Sequence, residues 1–512
     1  MITLKSYLRG EWVEGQSEMA TLVDPTTGEE IARTGTGGVD FGEVVRHARE
    51  VGGPALRAMT FGERGKVLKA LSKAIHAARE ELIEASIVSG GTTRGDAKFD
   101  IDGASATLAF YAGLGKKLGD AKALGEESEQ LTQSARFFGK HVWVPLRGVA
   151  VHINAFNFPA WGLAEKLAVA LLAGVPVITK PATSTSLLAF RVMEKMVETG
   201  EIPRGAVQLV CGSTGDLLSH LGEQDALAFT GSADTGLKLR GLENVLARST
   251  RVNVEADSLN AAVLAEDVDD DTYQMFLRDV VTEMTQKAGQ KCTATRRVFV
   301  HASRIDRVIE DLGERLDQIT IGNPASKEVR MGPLATKQQH ADFLAGVEKL
   351  KAAGAKVVYG GGAPSLIDAD ASKGYFVAPT LLRADAPAEA AAVHAHEVFG
   401  PCTTLMPWTE VDEVVELVAR GGGGLVASVY GDDRKLTAEL VLSLAPYSGR
   451  ILMGTKKVAD QAISPGLVLP SCVHGGPGRA GGGAELGGER GLRFYMQRCA
   501  IQGDRALLDK LV

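Results

Sequence analysis

Residues 283–300 read EMTQKAGQKCTATRRVFV, and their single cysteine, Cys292, sits in a short polar loop between a helix and a strand. Upstream, Tyr273, Phe276, Leu277, Val280, Val281, Met284 and Ala288 recur at helical spacing. Gly289 is placed to stop that helix, because glycine readily takes the left-handed conformation past a C-terminus. Downstream, RRVFVHA brings β-branched and aromatic residues together and predicts a strand. A thiol held between two rigid elements is where a nucleophile belongs. A free cysteine is otherwise most often a small buried hydrophobe, and this stretch alone does not choose between the two.

Outward from this loop the chain alternates. Before it, VAVHINA, PVITKPA, AVQLVCG, ALAFTGS and RVNVEA predict strands, with helices expected at Pro159–Ala173, Ser184–Thr199, Gly215–Leu221 and Ala233–Leu242. That alternation implies a parallel sheet with helices on its faces, and ligands bind such sheets at the carboxyl ends of the strands. After Asn260 a second alternating block follows: NAAVLAE, the Cys292 helix and strand, a helix over Arg304–Ile319, then KVVYGGG, GYFVAPTLL and GLVASVY. Nearer the N-terminus, VDPTTGEEIA reads as strand–turn–strand, and residues 61–118 are amphipathic helix. RFFGKHVWVPLRGVAVHINAF, from Arg136, reads as a long hairpin entering a buried strand. RFYMQRCAIQG predicts a last strand.

At 512 residues, two or three domains are expected. The 56 basic and 63 acidic residues leave a net charge of −7, which argues against a nucleic-acid or membrane-surface protein. Five scattered cysteines form no CxxC pair or disulfide framework, so a reducing cytoplasm is the expected compartment. MITLKSYLRGEW has no apolar core of signal-peptide length, and the apolar run near Leu167–Ile178 is too short to span a bilayer. No metal is expected.

Six stretches recur in a telling order. They are INAFNFP with Asn157, FTGSADTG with Gly231 and Ser232, NVEADS with Glu255, GQKC with Cys292, HEVFGP with Glu397 and Phe399, and LVASVY. In this order and at these intervals the chain resembles the aldehyde dehydrogenase superfamily over essentially its whole length. The resemblance implies an α/β fold with a Rossmann-like cofactor domain (1–126 and 147–256), an α/β catalytic domain (257–470) and a small β oligomerisation element (127–146 and 485–512). A homodimer or a dimer of dimers is then expected.

The resemblance also implies roles. Cys292 is the nucleophile that forms a thiohemiacetal and then a thioester. The amide of Asn157, with the backbone N–H of Cys292, holds the oxyanion, and Glu255 activates the hydrolytic water. Gly231 and Ser232 open a helix that faces the cofactor pyrophosphate. Lys180 holds the adenosine ribose, Glu397 the nicotinamide ribose, and Phe399 lies against the nicotinamide, with Phe156 and Gly215 also on the cofactor side. An Asn in a turn and a Glu at a strand end also have plain structural readings. The string Gly476-Pro-Gly478-Arg-Ala-Gly481 imitates a dinucleotide fingerprint, but no βαβ unit surrounds it.

Two departures from the common pattern sharpen the expectation. Many NAD-using members carry a glutamate three residues after the lysine. Here that position is Thr183, which leaves no carboxylate to repel a 2′-phosphate, so NADP is the expected cofactor. The segment HGGPGRAGGGAELGG, His474–Gly488, is similar to a subgroup that handles CoA-linked semialdehydes in aromatic (benzoate) degradation. A broad-specificity NAD(P)-dependent aldehyde dehydrogenase is the alternative. His474 itself has two readings, a polar contact in the substrate tunnel or a structural histidine beside a glycine loop.

Overall fold

The strand-and-helix block after Val149 builds a seven-stranded sheet. Its order is Arg251–Glu255, Ala226–Thr230, Ala150–Ile153, Val177–Lys180 and Val207–Leu209, with Ser6–Leu8 and Glu11–Val13 at the edge. The first five strands run parallel, and the two N-terminal strands add on antiparallel. The central runs are apolar throughout because helices cover both faces, and Val177, Ile178, Val207, Leu209 and Leu227 are all buried. The chain steps outward from Ala150–Ile153 to Val207–Leu209. It then crosses back to Ala226–Thr230 on the other side of its first strand. Neighbouring strands therefore continue in opposite directions beyond their carboxyl ends, and a crevice opens there. This computed structural model describes residues 2–17 and 19–512.

A second seven-stranded sheet carries Cys292. Its order is Lys356–Gly360, Thr380–Arg383, Cys402–Trp408, Arg297–His301, Ala261–Leu264, Gly424–Tyr430 and Ser448–Gly454, and every pair is parallel except the first. The helix Asp270–Thr285 buries Tyr273, Phe276, Leu277, Val280 and Met284 against Val298, Val300 and Leu312, as the periodicity expects.

That helix stops earlier than Gly289. It ends at Thr285, and Lys287 and Ala288 both take left-handed backbone (φ 53° and 51°) before Gly289 (φ 68°). Each non-glycine residue held there costs about 1 kcal/mol or more. The carboxylate of Asp96 offsets this by accepting from the Lys287 backbone, and Gln290 donates twice to the Lys287 carbonyl, at 3.1 and 3.2 Å. Gly289 must be glycine for a second reason: a Cβ there would stand 2.3 Å from the Gly400 carbonyl oxygen.

The hairpin expected from Arg136 does not close on itself. Phe137–Pro145 pairs antiparallel along its length with Met496–Asp504, and Leu124–Gly125 lies on its other side. Gly215–Leu221 holds only a short turn of 3₁₀ helix, Leu217–His220. Among the described residues, no helix is long and apolar enough to cross a membrane.

Candidate active site

Two cavities share Asn157, Glu255 and Cys292 in their walls. A tunnel of about 480 Å³, lined by Phe99, Phe158, Trp161 and Val468, reaches Cys292, Asn157 and Glu255. A wider cleft of about 1460 Å³ reaches the same three residues. Phe156, Gly231, Ser232, Glu397 and Phe399 line it. Each residue arrives from a different element. Asn157 and Phe156 follow the strand Ala150–Ile153, Gly231 and Ser232 follow Ala226–Thr230, and Glu255 ends Arg251–Glu255. All three are carboxyl ends at the crevice of the first sheet. Cys292 comes from the second sheet, on the loop leading into Arg297–His301.

The Cys292 loop is pinned from several directions. Asn260 donates through Nδ2 to the carbonyls of Cys292 (2.8 Å) and Ala294 (2.9 Å), and its Oδ1 accepts from Val426 N (2.9 Å). The Asn157 amide donates to the Gln290 carbonyl at 3.0 Å, which holds it beside the cysteine. Thr293 Oγ1 donates to the Gly466 carbonyl (3.1 Å), and Gly466 N donates to Glu283, whose other oxygen pairs with Lys291 at 2.9 Å. The tunnel wall and the Cys292 loop are thus one hydrogen-bonded unit.

His474 is buried beside Glu255 and Cys292. Its Nε2 stands 3.0 Å from Glu255 Oε2 and 4.0 Å from Cys292 Sγ, and the side chain lines the tunnel. Burial alone would lower the imidazole's pKa, but the charge of Glu255 outweighs it and the net shift is upward. Burial would raise Glu255, but the positive His474 and Lys166 bring it down to about 2. The Cys292 thiol is pushed well above its usual range by burial and by the negative Glu255. The Cys292 thiol thus lies beside the Glu255–His474 pair, with the Glu255 carboxylate as the acceptor for its proton.

Sequence reading missed the groups behind this pair. Lys166, buried on the helix Trp161–Ala173, lies 3.1 Å from Glu165 and 3.2 Å from Glu485, and Asn253 donates to Glu485 at 3.0 Å. Burial pushes Glu485 up to about 7 against the pull of Lys166. Glu165, Glu255 and Glu485 each bring a carboxylate oxygen within 4.8 Å of the others. The ELGG and AEK strings that carry Glu485 and Glu165 show no periodic or spacing signal of this meeting.

The cleft residues fall into two groups. Ser232 Oγ accepts from Thr235 N and caps the helix Ala233–Arg240, whose N-terminus faces the cleft. A Cβ at Gly231 would stand 2.5 Å from the Phe229 ring, so the turn requires glycine. Phe399 stacks edge-on to Phe156, their ring centroids 5.8 Å apart. Glu397 accepts from Arg296 Nε (3.1 Å) and Ser258 N (3.0 Å). Lys180, Thr183 and Gly215 lie outside the cleft lining, Lys180 as the last residue of Val177–Lys180, Thr183 just after it and Gly215 beyond Val207–Leu209. Lys180 Nζ donates to Thr183 Oγ1 at 3.4 Å. The fingerprint-like string 476–481 forms a glycine turn with no βαβ unit around it.

The comparisons agree with this geometry. The aldehyde dehydrogenase family pattern matches residues 12–501. The 3,4-dehydroadipyl-CoA semialdehyde dehydrogenase of Aromatoleum evansii is 44% identical over 479 residues, covering 93% of each chain. The alpha-ketoglutaric semialdehyde dehydrogenase of Bacillus subtilis is 31% identical, covering 84% of this chain and 86% of its own. Among solved structures, the betaine aldehyde dehydrogenase of Staphylococcus aureus in complex with NAD+ superposes with a TM-score of 0.85 at 25% identity, over 98% of this chain and 95% of that one. The family pattern over almost the whole chain and the relative at 44% identity place this protein in the aldehyde dehydrogenase family, as an aldehyde-oxidising enzyme that uses a nicotinamide cofactor.

Proposed function

We propose that the enzyme oxidises a CoA-linked semialdehyde to its carboxylic acid with NADP+ as acceptor, in the cytoplasmic degradation of benzoate or a related aromatic acid. The meeting of tunnel and cleft at Cys292 is the observation that supports the chemistry. The 44% identity to a CoA-semialdehyde dehydrogenase supports the substrate class. The residues fit a dinucleotide: the cleft is large enough, the Ala233–Arg240 N-terminus faces it, and Glu397 and Phe399 line its inner end.

The chain's own groups carry out the steps. Glu255 takes the thiol proton, and the thiolate of Cys292 adds to the aldehyde carbon. The Asn157 amide and the Cys292 N–H face the oxygen that becomes negative. When bound, the cofactor supplies the hydride acceptor. Glu255 then takes a proton from water, the hydroxide adds to the thioester, and the acid leaves as the thiolate of Cys292 is released. Lys166 and His474 keep Glu255 ionised for this role despite its burial.

Lys180 and Thr183 are the groups we assign to the adenosine 2′-phosphate, with Gly215 nearby. The division at residues 126, 147 and 257, and a dimer or dimer of dimers through Phe137–Pro145 and Met496–Asp504, belong to the same proposal. Initial rates with a CoA-tethered semialdehyde, hexanal, NADP+ and NAD+ test it. The expected result is a far higher kcat/KM for the CoA substrate and at least about tenfold preference for NADP+. Equal kcat/KM for hexanal would instead favour the broad-specificity alternative.

A further inference from the structure

The segment His474–Gly488 carries more than its histidine. Its glycine turn is pressed onto the rest of the fold. A Cβ at Gly478 would stand 2.0 Å from the Gly422 carbonyl, one at Gly423 2.0 Å from the Pro477 carbonyl, and one at Gly481 2.2 Å from the Val254 carbonyl. Gly422, Gly478 and Gly481 also have positive φ. Arg479 N donates to the Gly422 carbonyl at 2.7 Å, so the backbone that bears the arginine is fixed at both ends. The segment delivers one side chain, Arg479, into the wall of the cofactor cleft.

Two features make that side chain unusual. First, among the described residues lining the cleft, Arg479 is the one arginine and none is a lysine. The other basic group there is His396, whose pKa is lowered by burial and by nearby Lys349 and Arg479. Second, the guanidinium is incompletely used. Nη1 donates to the Ala395 carbonyl and Nη2 lies 3.5 Å from Asp257 Oδ2, while buried Nε has no hydrogen-bond partner among the described residues. Asp257 in turn accepts from Ala233 N at 3.1 Å, at the N-terminus of the helix Ala233–Arg240. A carboxylate thus already sits where an anion would approach that helix, and Arg479 is the charge that offsets it.

We propose that Arg479 binds the diphosphate bridge of the dinucleotide, exchanging its long contact with Asp257 for a charge-assisted pair with a phosphate oxygen. An arginine suits this role because its fork of donors matches phosphate geometry, and here it is pre-positioned by a rigid glycine turn. The inference rests on the cofactor reading above and adds a residue to it.

The test compares two ligands on Arg479→Gln, Arg479→Lys and the unmodified enzyme by titration calorimetry. One ligand is NADP+ or NAD+, whichever the unmodified enzyme binds more tightly. The other is the matching fragment without the diphosphate bridge, adenosine 2′-monophosphate or adenosine. The expected result is about tenfold weaker dinucleotide binding by Arg479→Gln, partial recovery in Arg479→Lys, and unchanged fragment binding in both. Dinucleotide affinity equal to the parent's would overturn the proposal. So would parallel loss of both ligands, which would mark a merely structural arginine. An unmodified enzyme that binds neither dinucleotide would overturn the cofactor reading itself, and this inference with it.

Discussion

Replacing Asn260 by alanine should loosen the nucleophile's loop without touching a reacting group. The side chain is buried, and its amide makes three bonds to the backbone, to the carbonyls of Cys292 and Ala294 and from Val426 N. Each is worth about 1 kcal/mol net, and the bared partners add their own desolvation penalty, so the loss should be about 3–5 kcal/mol. For 512 residues at about 2.1 cal/mol/K each, the unfolding entropy is about 1.1 kcal/mol/K, and Tm should fall by about 3–5 °C. The same slack should misplace the thiolate and cost about 10²-fold in kcat, while cofactor affinity stays put. Asn260→Asp keeps the acceptor for Val426 but turns a carboxylate toward two carbonyls, so its defect should ease at acid pH, where a protonated carboxyl can donate. Calorimetry and steady-state rates are the assays. An Asn260→Ala enzyme with parental Tm and kcat would refute the idea that this amide holds the cysteine.

Activity should rise with pH on a limb set by His474. Its pKa is raised by Glu255, so the pair is intact below it, and loss of the proton above 6.5 frees Glu255 as a stronger base. His474→Gln should erase that limb of kcat/KM, and an unchanged profile would contradict this assignment. Stability should fall in acid for a separate reason. His394 accepts from Arg297 at 3.1 Å and donates to the Pro387 carbonyl at 2.9 Å; burial and Arg297 hold it at about 4. A depressed histidine is neutral in the fold and takes its proton on unfolding. Stability is therefore full above about 6.5 and falls as pH drops toward 4, by about 3 kcal/mol. His394→Asn should flatten Tm over that interval, and an equal slope would exclude His394 as its source. Thr183→Glu should shift preference from NADP+ to NAD+ by repelling the 2′-phosphate; an unaltered ratio in the rates would remove Thr183 from the cofactor site.

Local chemistry was legible in the sequence, and long-range encounters were not. The 3.6-residue spacing from Tyr273 to Met284 marks a buried helix face, and the apolar runs around Ile178 and Leu227 mark parallel strands. The end of the helix was misplaced because Lys287 and Ala288 enter the left-handed region. Asp96 and Gln290 support them there from distant and neighbouring positions, and no propensity announces it. Phe137–Pro145 reads as half of a hairpin because alternation reveals a strand but not its partner, which comes from the far end of the chain. Asn157, Glu255 and Cys292 were found through motifs. Asn260, Lys166, Glu165 and Glu485 were not, since each acts by meeting residues far away in sequence. His474 stands out in the sequence by its glycine-rich setting, whereas its contact with Glu255 arises only in the fold.

In the proposed reaction Cys292 carries the substrate as a thioester and Glu255 activates the water that releases it. The most direct measurement is a rapid-mixing experiment on Glu255→Gln, followed by intact-protein mass spectrometry. The expected result is a burst of reduced cofactor approaching one per site, near-zero turnover afterwards, and a mass increase equal to the acyl group on Cys292. Turnover at the parental rate with no adduct would contradict it. Release of a new CoA thioester when free CoA is added would also contradict it, because the site would then pass its acyl group to a thiol rather than to water.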